Sequence, residues 1–567
     1  MNDLKFALRQ LTRHKGASLL AILVLGLGIG LVVMQFSFVN GVMLKGLPFT
    51  NSEQLHVITR LKPGQPGWAP SGRREFAFLR EHQTSFTDLA AFAHQRLALS
   101  GPGAEPQYYL GAALTANTLP LLGAQPQLGR AFAEGEDQPG AAPLVLLSHR
   151  IWQRDFGSDS SVVGRAVKLN GETATVIGVM PAGFAFPVIE DVWTNLRVGD
   201  SAPPSESAVE VFGRLRAEVR IEAAQNEFNA LATRLAETHP DTNDGHTQAR
   251  LQSYLEFYNG PEAAPMLWTM LAMVVGVLLI ACSNVANLLL ARAVRRVREL
   301  AVRNALGASR AHTLRLLLGE SLVLATLGAA LGLGIAKLGT TLLARQLELT
   351  RAPFWFDVSL DWRAVLVVIA CAAVAGIVAG LFPALQAARI NLNDQLKDSS
   401  RGASSFHLGR FSRFLVTAQV ALSCCLLVVT GLMARSVALA HSAETMPHLD
   451  TMLSARLELL PESFPTPADR AQFFTTTAER LAALPGSPQV AWTSRHPGDS
   501  TMIERTEIVG RNHARREEMP LVHYEIISPE YFATVGVPVL KGRSFTASDG
   551  VQGSAVCLVN QALADKH

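Results

Sequence analysis

The chain has 567 residues, room for several domains, with 49% hydrophobic and only 17% charged residues and a mean hydropathy of +0.21. A formal net charge of +3 is too small for a nucleic-acid binder, and the basic residues cluster beside apolar runs instead of covering a face. Of five cysteines, Cys282, Cys371, Cys424 and Cys425 lie in apolar runs and Cys557 stands alone, which excludes a disulfide framework; no CxxC or His/Cys spacing suits zinc.

Residues 1–15 are basic, with Leu4, Ala7, Leu8 and Leu11 on one helical face, and suit an anionic membrane surface. The charge-free run 16–44 exceeds the roughly 20 residues that cross a bilayer. It is also too long for a signal peptide, whose apolar part is only about 7–15 residues. Lys5, Arg9, Arg13 and Lys15 place the N-terminus in the cytoplasm.

Residues 47–262 change character, with Gly, Pro and polar residues between short strand-like runs such as Leu55–Thr59, Ala142–Leu147 and Thr173–Val179. Asn170-Gly171 predicts a tight hairpin turn. Helices are predicted over Glu75–Leu89 and Ile221–His239, the second with an apolar stripe at Ala224, Phe228, Leu231 and Leu235. This is an α/β domain of about 210 residues, large enough for its own core, and it follows an N-in span onto the extracytoplasmic side.

Three further spans are predicted at 265–291, 316–344 and 364–388, separated by a cytoplasmic block at 292–315. Within the second, Lys337 can snorkel. Glu320 is read at headgroup depth, with a packed polar contact as the alternative. Pro383 would kink or end the third. The linker 389–413 is basic and contains SSRGASS, so it too is cytoplasmic. A fifth span, 414–434, leads to a second extracytoplasmic region over 436–567. Every basic block then falls on the cytoplasmic side.

The block 292–315 holds Arg292, Arg295, Arg296, Arg298, Arg303, Arg310 and Arg315 against a single acid, Glu299. Val294, Val297, Ala301 and Ala305 recur at helical spacing. Such a helix either fixes orientation only or receives force from a cytoplasmic partner.

An internal repeat joins the two extracytoplasmic regions. LGAQPQLGRAF and VGVPVLKGRSF share G-x5-G-R-x-F, as Gly123, Gly129, Arg130 and Phe132 against Gly536, Gly542, Arg543 and Phe545. The glycines are read as turns or close backbone approaches. PLVLLSHRIW and AVCLVNQALA follow at almost the same distance. A complete duplication would carry roughly 100 extracytoplasmic residues and three spans beyond His567.

With these residues in hand, the chain resembles a MacB/FtsX-type ABC transporter permease, and more narrowly the acidobacterial duplicated orphan permeases. The resemblance is carried by MNDLKFALRQL, VIGVMPAGFAFP, SNVANLLLARAVRRVRELAVRNALGASR, GLFPALQAARINLNDQLKD and RFLVTAQVALSCCLLVVTGLMARS in this order. It implies an α-helical membrane bundle, five spans being present, with two α/β MacB-like core domains, the second incomplete, in a bacterial inner membrane. It also implies that Arg296, Arg298, Glu299, Arg303, Gly307 and Ala308 belong to a coupling helix that docks on a dimeric MacB-like cytoplasmic ATPase. That partner would hold the ATP and Mg, and this chain no cofactor. A periplasmic adaptor or other extracytoplasmic partner is implied besides membrane lipids. The implied function is mechanotransmission in export or extraction; the alternative is an FtsX-like regulator that signals ATPase state to a partner such as a cell-wall hydrolase.

The sequence holds no GxxxxGK[ST] phosphate loop. Gly157–Arg165 has the wrong length and no lysine after its second glycine. No GxSxG or HExxH occurs either. His94, His149 and His239 are read as isolated, so no catalytic constellation is expected and hydrolysis falls to a partner.

Overall fold

The computed structural model describes residues 15–63, 68–100, 106–197, 208–238, 245–295, 310–388 and 405–444 and, with interruptions, 451–566. It divides into two units, residues 1–427 and 428–567.

The first unit opens with α1 (Lys15–Val39), which continues as a π-helical turn over Asn40–Leu44. After it come β1 (Leu55–Leu61), β2 (Ser71–Gly72), α2 (Arg73–His82), β3 (Phe86–Ser100), β4 (Gln107–Leu114), α3 (Thr118–Leu122) and β5 (Leu128–Gly129). The domain continues with β6 (Leu144–Leu147), α4 (His149–Phe156), β7 (Ala166–Leu169), β8 (Glu172–Val179), β9 (Val192–Asn195), β10 (Ala208–Leu215), α5 (Ile221–Thr238), β11 (Gln248–Ser253) and α6 (Tyr254–Asn259). Long helices follow: α7 (Ala263–Arg295), α8 (Arg310–Leu349), α9 (Trp362–Ala388) and α10 (Ser405–Glu444), the last running into the second unit.

One mixed sheet has the strand order β11-β1-β10-β3-β4-β9-β6-β8-β5. Pairs β4–β9 and β6–β8 are parallel and the rest of this path is antiparallel. Alternation along β3 sorts its side chains between two cores. Leu89 and Ala91 face α2 and α5, where Phe76, Leu79, Ala224, Phe228 and Leu231 are buried. Ala90 and Phe92 face an aromatic cluster of Phe186, Trp193, Phe212, Tyr254 and Trp355. The Asn170-Gly171 turn closes β7 on β8, with φ of 50° and 88° at the two residues, as a two-residue hairpin of the primed type requires.

The helix predicted over Glu75–Leu89 is shorter than expected. It ends at His82, and Phe86–Leu89 begin β3. The Glu227 carboxylate of α5 explains the break, because it accepts the backbone N–H of Thr84 at 2.6 Å and of Ser85 at 3.1 Å. The chain therefore gains more by turning into the sheet than by adding a helical turn.

Among the described residues, five helices are long and apolar enough to cross a membrane: Lys15–Leu44, Ala263–Arg292, Leu314–Leu349, Trp362–Leu381 and Arg413–Leu439. The first four pack together through Ala21, Leu25 and Ile29, Leu278 and Cys282, Leu324 and Ala329, and Ala364 and Ala375. In lipid, helices gain nothing by hiding apolar surface from one another, so small residues that permit close approach decide the packing. Gly26 and Gly30 of α1 cross Gly328 and Gly332 of α8: a Cβ at Gly332 would stand 3.0 Å from the Gly26 carbonyl oxygen and from the Gly30 nitrogen. Helix α9 runs through Pro383 to Ala388 and does not end there; a helix at the edge of a bilayer has few other ways to satisfy its backbone. Exposed Leu19, Leu23 and Leu27 on α1, and Phe414 and Leu427 on α10, are lipid-facing in kind.

In the second unit, α11 (Pro467–Ala482) starts from a Thr466/Asp469 capping box with proline in the first turn. β12 (Met502–Arg505) and β13 (Leu521–Tyr524) pair antiparallel, followed by α12 (Tyr531–Val535) and α13 (Gln561–Lys566).

Candidate functional site

Helices α8 and α9 are joined by residues 350–361, a stretch to which the sequence assigns no element. This connection is fastened to two other parts of the first unit, forming a clasp.

Its first half engages the segment Pro187–Asp191, which begins at the last residue of VIGVMPAGFAFP. Arg351 is a non-glycine residue at φ 51°, and that left-handed turn ends α8 and directs its guanidinium to Asp191. Asp191 is also held by Arg150 of α4, and its own carbonyl accepts the Ser148 N–H at 2.8 Å. The Phe354 N–H donates to the Val188 carbonyl at 3.0 Å. Trp355, 2% exposed, packs beside Tyr254 and Tyr258 of α6, and Phe354 lies against Phe49.

Its second half engages the π-helical turn that ends α1. Lys45 Nζ donates to Asp357 Oδ2 at 2.9 Å and lies 3.9 Å from Asp361. Asn40 Nδ2 donates to Asp361 at 2.8 Å, and Arg363 donates to the Asn40 side-chain oxygen and the Leu44 carbonyl, each at 3.1 Å. Only glycine fits at position 41, since any Cβ there would meet the Asp357 carbonyl. Burial alone would raise the pKa of Asp357 and Asp361. Bonds from Lys45 and Ser359 to the first, and from the Ala364 N–H and Asn40 to the second, outweigh it and hold both carboxyls below their usual value.

At the other end of the bundle, Arg292 of α7 lies 3.4 Å from Glu320 of α8 and donates to Ser18 Oγ of α1 at 3.2 Å. Glu320 is 7% exposed. It is a packed polar contact tying three helices together, the alternative reading of this residue, with Arg292 as its partner. The reason lies in the medium: a buried carboxylate in an apolar bundle needs a hydrogen-bonded counter-charge.

Residues 18–231 match the family described as MacB-like periplasmic core domain, and residues 271–392 the family described as FtsX-like permease C-terminal. The chain carries a MacB-like periplasmic core and an FtsX-like permease domain. Over part of its length it is similar to MacB- and PvdT-type proteins. The pyoverdine export ATP-binding/permease protein PvdT of Pseudomonas syringae pv. tomato is 26% identical over 279 residues, 46% of this chain and 39% of that protein. The macrolide export ATP-binding/permease protein MacB of Nitrosomonas europaea is 28% identical over 271 residues, 46% of this chain and 38% of that protein. The chain thus spans well under half the length of these curated relatives. The periplasmic region of MacB from Actinobacillus actinomycetemcomitans aligns at 11% identity over 38% of this chain and 94% of that one, with a TM-score of 0.29.

The clasp joins the two matched regions: Arg351, Phe354, Trp355, Asp357 and Asp361 lie within the one match, and Asn40, Lys45, Val188 and Asp191 within the other. Sequence reading missed it because the partners are 97 to 323 positions apart. The coupling residues Arg296, Arg298, Glu299, Arg303, Gly307 and Ala308 lie outside the described residues; α7 ends at Arg295 and α8 begins at Arg310.

The repeat motif has the same local geometry in both copies. Gly123 and Gly536, each at φ 71°, end the five-residue helices α3 and α12. Gly129 and Gly542 have φ of 77° and 87°. Arg130 binds Glu136 through two bonds of 2.7 and 2.8 Å, and Arg543 binds Asp549 through two of 2.6 and 2.8 Å. Each acid also accepts the N–H three residues before it, that of Ala133 or Thr546. Phe132 is buried and Phe545 half-buried. The acid six positions after each arginine was overlooked, although extending the comparison to RAFAEGE and RSFTASD would have found it.

His94 is not isolated. Its Nδ1 is 2.8 Å from Glu190 and its Nε2 3.6 Å from Glu210. His149 pairs with Gln127 at 2.6 Å. His239 lies outside the described residues. Among the described residues, no group of three or more His, Cys, Asp or Glu could hold a metal ion.

Proposed function

We propose that the chain is the permease subunit of an ABC-type export or extraction system. It couples a separate cytoplasmic ATPase dimer, which binds ATP and Mg, to motion of the extracytoplasmic core. The clasp is the observation that carries this reading. Lever and load must be rigidly joined for force to pass, and the α8–α9 connection is bonded both to the end of α1 and to the Pro187–Asp191 segment that leads into β9.

At the opposite end, the Arg292–Glu320–Ser18 contact ties α1, α7 and α8 next to the basic block 292–315. A displacement of that block would move three helices together. Charged residues such as Arg298, Glu299 and Arg303 give a docking helix orientation and register, while Leu300, Val302 and Leu306 would seat in a groove of the ATPase. The second region, 436–567, is on this reading a second core of the same kind, supported by the shared glycine, arginine and carboxylate geometry.

The test is co-purification with MacB-like ATPases from the same cells. The double reversal Arg298→Glu/Arg303→Glu is expected to insert into the membrane and to lose the ATPase; retained binding would defeat the coupling assignment. A cysteine at Ser309 should resist impermeant reagents in intact cells. Release of lipid, lipoprotein or small molecule from reconstituted vesicles on ATP hydrolysis separates transport from signalling, because a regulator would respond only when an extracytoplasmic hydrolase is added.

A further inference from the structure

We propose that His94 is a positioning residue of the clasp: as an imidazolium between Glu190 and Glu210 it fixes the segment that receives Arg351 and Phe354, and on losing its proton to solvent it lets that segment go.

The ring stands between two carboxylates, and as an imidazolium it presents an N–H to each. Nδ1 faces Glu190 Oε1 at 2.8 Å. Nε2 faces Glu210 Oε1 at 3.6 Å and the Tyr258 hydroxyl oxygen at 3.4 Å. That hydroxyl has already given its proton to Glu210 Oε2, at 2.7 Å, so toward His94 it offers a lone pair. A neutral ring has one N–H and carries no charge to set against the two carboxylates. The remaining neighbours are apolar or aromatic: Phe92 lies edge-on on the same strand, Ala112 is the partner on β4, and Tyr254 stands behind Tyr258. The titratable groups around the ring are thus Glu190, Glu210, Tyr258 and, behind it, Tyr254.

Glu190 passes the effect onward. Its second oxygen accepts the N–H of Val188 at 2.7 Å and of Ile189 at 2.9 Å. The carbonyls of those two residues take the Phe354 N–H at 3.0 Å and the Arg351 guanidinium at 3.4 Å. The imidazole side chain is 40% exposed, so its proton can reach water, whereas Glu190 at 5% exposure needs a counter-charge close by.

The direction of the pH effect follows. Burial by itself would lower the pKa of His94, but the bond and charge of Glu190 and the charge of Glu210 outweigh it and raise the value. Burial likewise raises Glu210, against the charge of His94 and the Tyr258 bond. The folded state therefore holds protons more tightly than the unfolded chain. The contribution is complete below the ordinary histidine pKa and is lost as pH rises through the raised value of His94.

Any use of this latch in transport rests on the function proposed above; the latch itself does not. Amide exchange by mass spectrometry on the full chain in nanodiscs, without ATPase or nucleotide and corrected for intrinsic rates, separates the two. Protection at Val188, Ile189 and Phe354 is expected to fall across a single-proton step as pH rises through the raised value of His94. His94→Gln should be flat with pH, at the wild-type high-pH level. Glu210→Gln should keep the step but move it to lower pH, since one of the two charges that hold the proton is gone. A step that survives His94→Gln, an unmoved midpoint in Glu210→Gln, or flat protection in the wild type would overturn the assignment.

Discussion

Arg292 and Glu320 are each unfavourable alone in an apolar bundle and tolerable together. Replacing Arg292 by methionine leaves a buried carboxylate, and the expected cost is about 3 kcal/mol, read as a lower thermal midpoint in nanodiscs. The double replacement Arg292→Met/Glu320→Met should recover most of that loss, because it removes both desolvated charges. Gly129 makes a different residue-scale case. Its φ of 77° and the adjacent Ile177 carbonyl leave no room for a Cβ, so Gly129→Ala should destabilise the core by roughly 1–3 kcal/mol, seen in the same melt. Both sites were half legible in the sequence. A charge inside an apolar run and a repeated glycine announce themselves, but a partner on another helix, such as Arg292 for Glu320, does not.

Among elements, the spans were the most legible. Four of the five apolar stretches extend the predicted ranges at one or both ends, and the other runs Trp362–Leu381 against a predicted 364–388. What the runs did not reveal was how they pack. Gly26, Gly30, Gly328 and Gly332 determine the crossing of α1 and α8. Gly332→Leu should lower the thermal midpoint, overpacking costing about 1–3 kcal/mol. Gly319→Leu, with nothing within 4 Å of its added Cβ, should leave it unchanged. The false extension of α2 past His82 had the same origin, since Glu227, which breaks it, is over 140 positions away. The clasp also has its own pH window. Asp357 and Asp361 are held below the usual carboxyl value, so their contribution is complete above about pH 4 and lost as pH falls through the depressed values. Together with the histidine latch, this gives a stability maximum on the acid side of neutrality. Melts across pH should show it, and Lys45→Met should flatten its acidic flank.

At the scale of the molecule, the alternation of long apolar helices with an α/β core could be read from the sequence, because hydropathy acts locally. The sheet order and the fastening of the permease domain to the periplasmic core could not, because β1 lies beside β10 and β11, and Arg351 beside Asp191. Those long-range contacts give the proposed coupling a route from helix ends to sheet. The most direct measurement is amide exchange over Pro187–Asp191 in the complex with the partner ATPase, with and without ATP. Exchange there is expected to change on nucleotide binding in the wild type, and to stop responding in Arg351→Ala/Trp355→Ala although the ATPase remains bound. Identical exchange in the wild type with and without ATP would contradict the account.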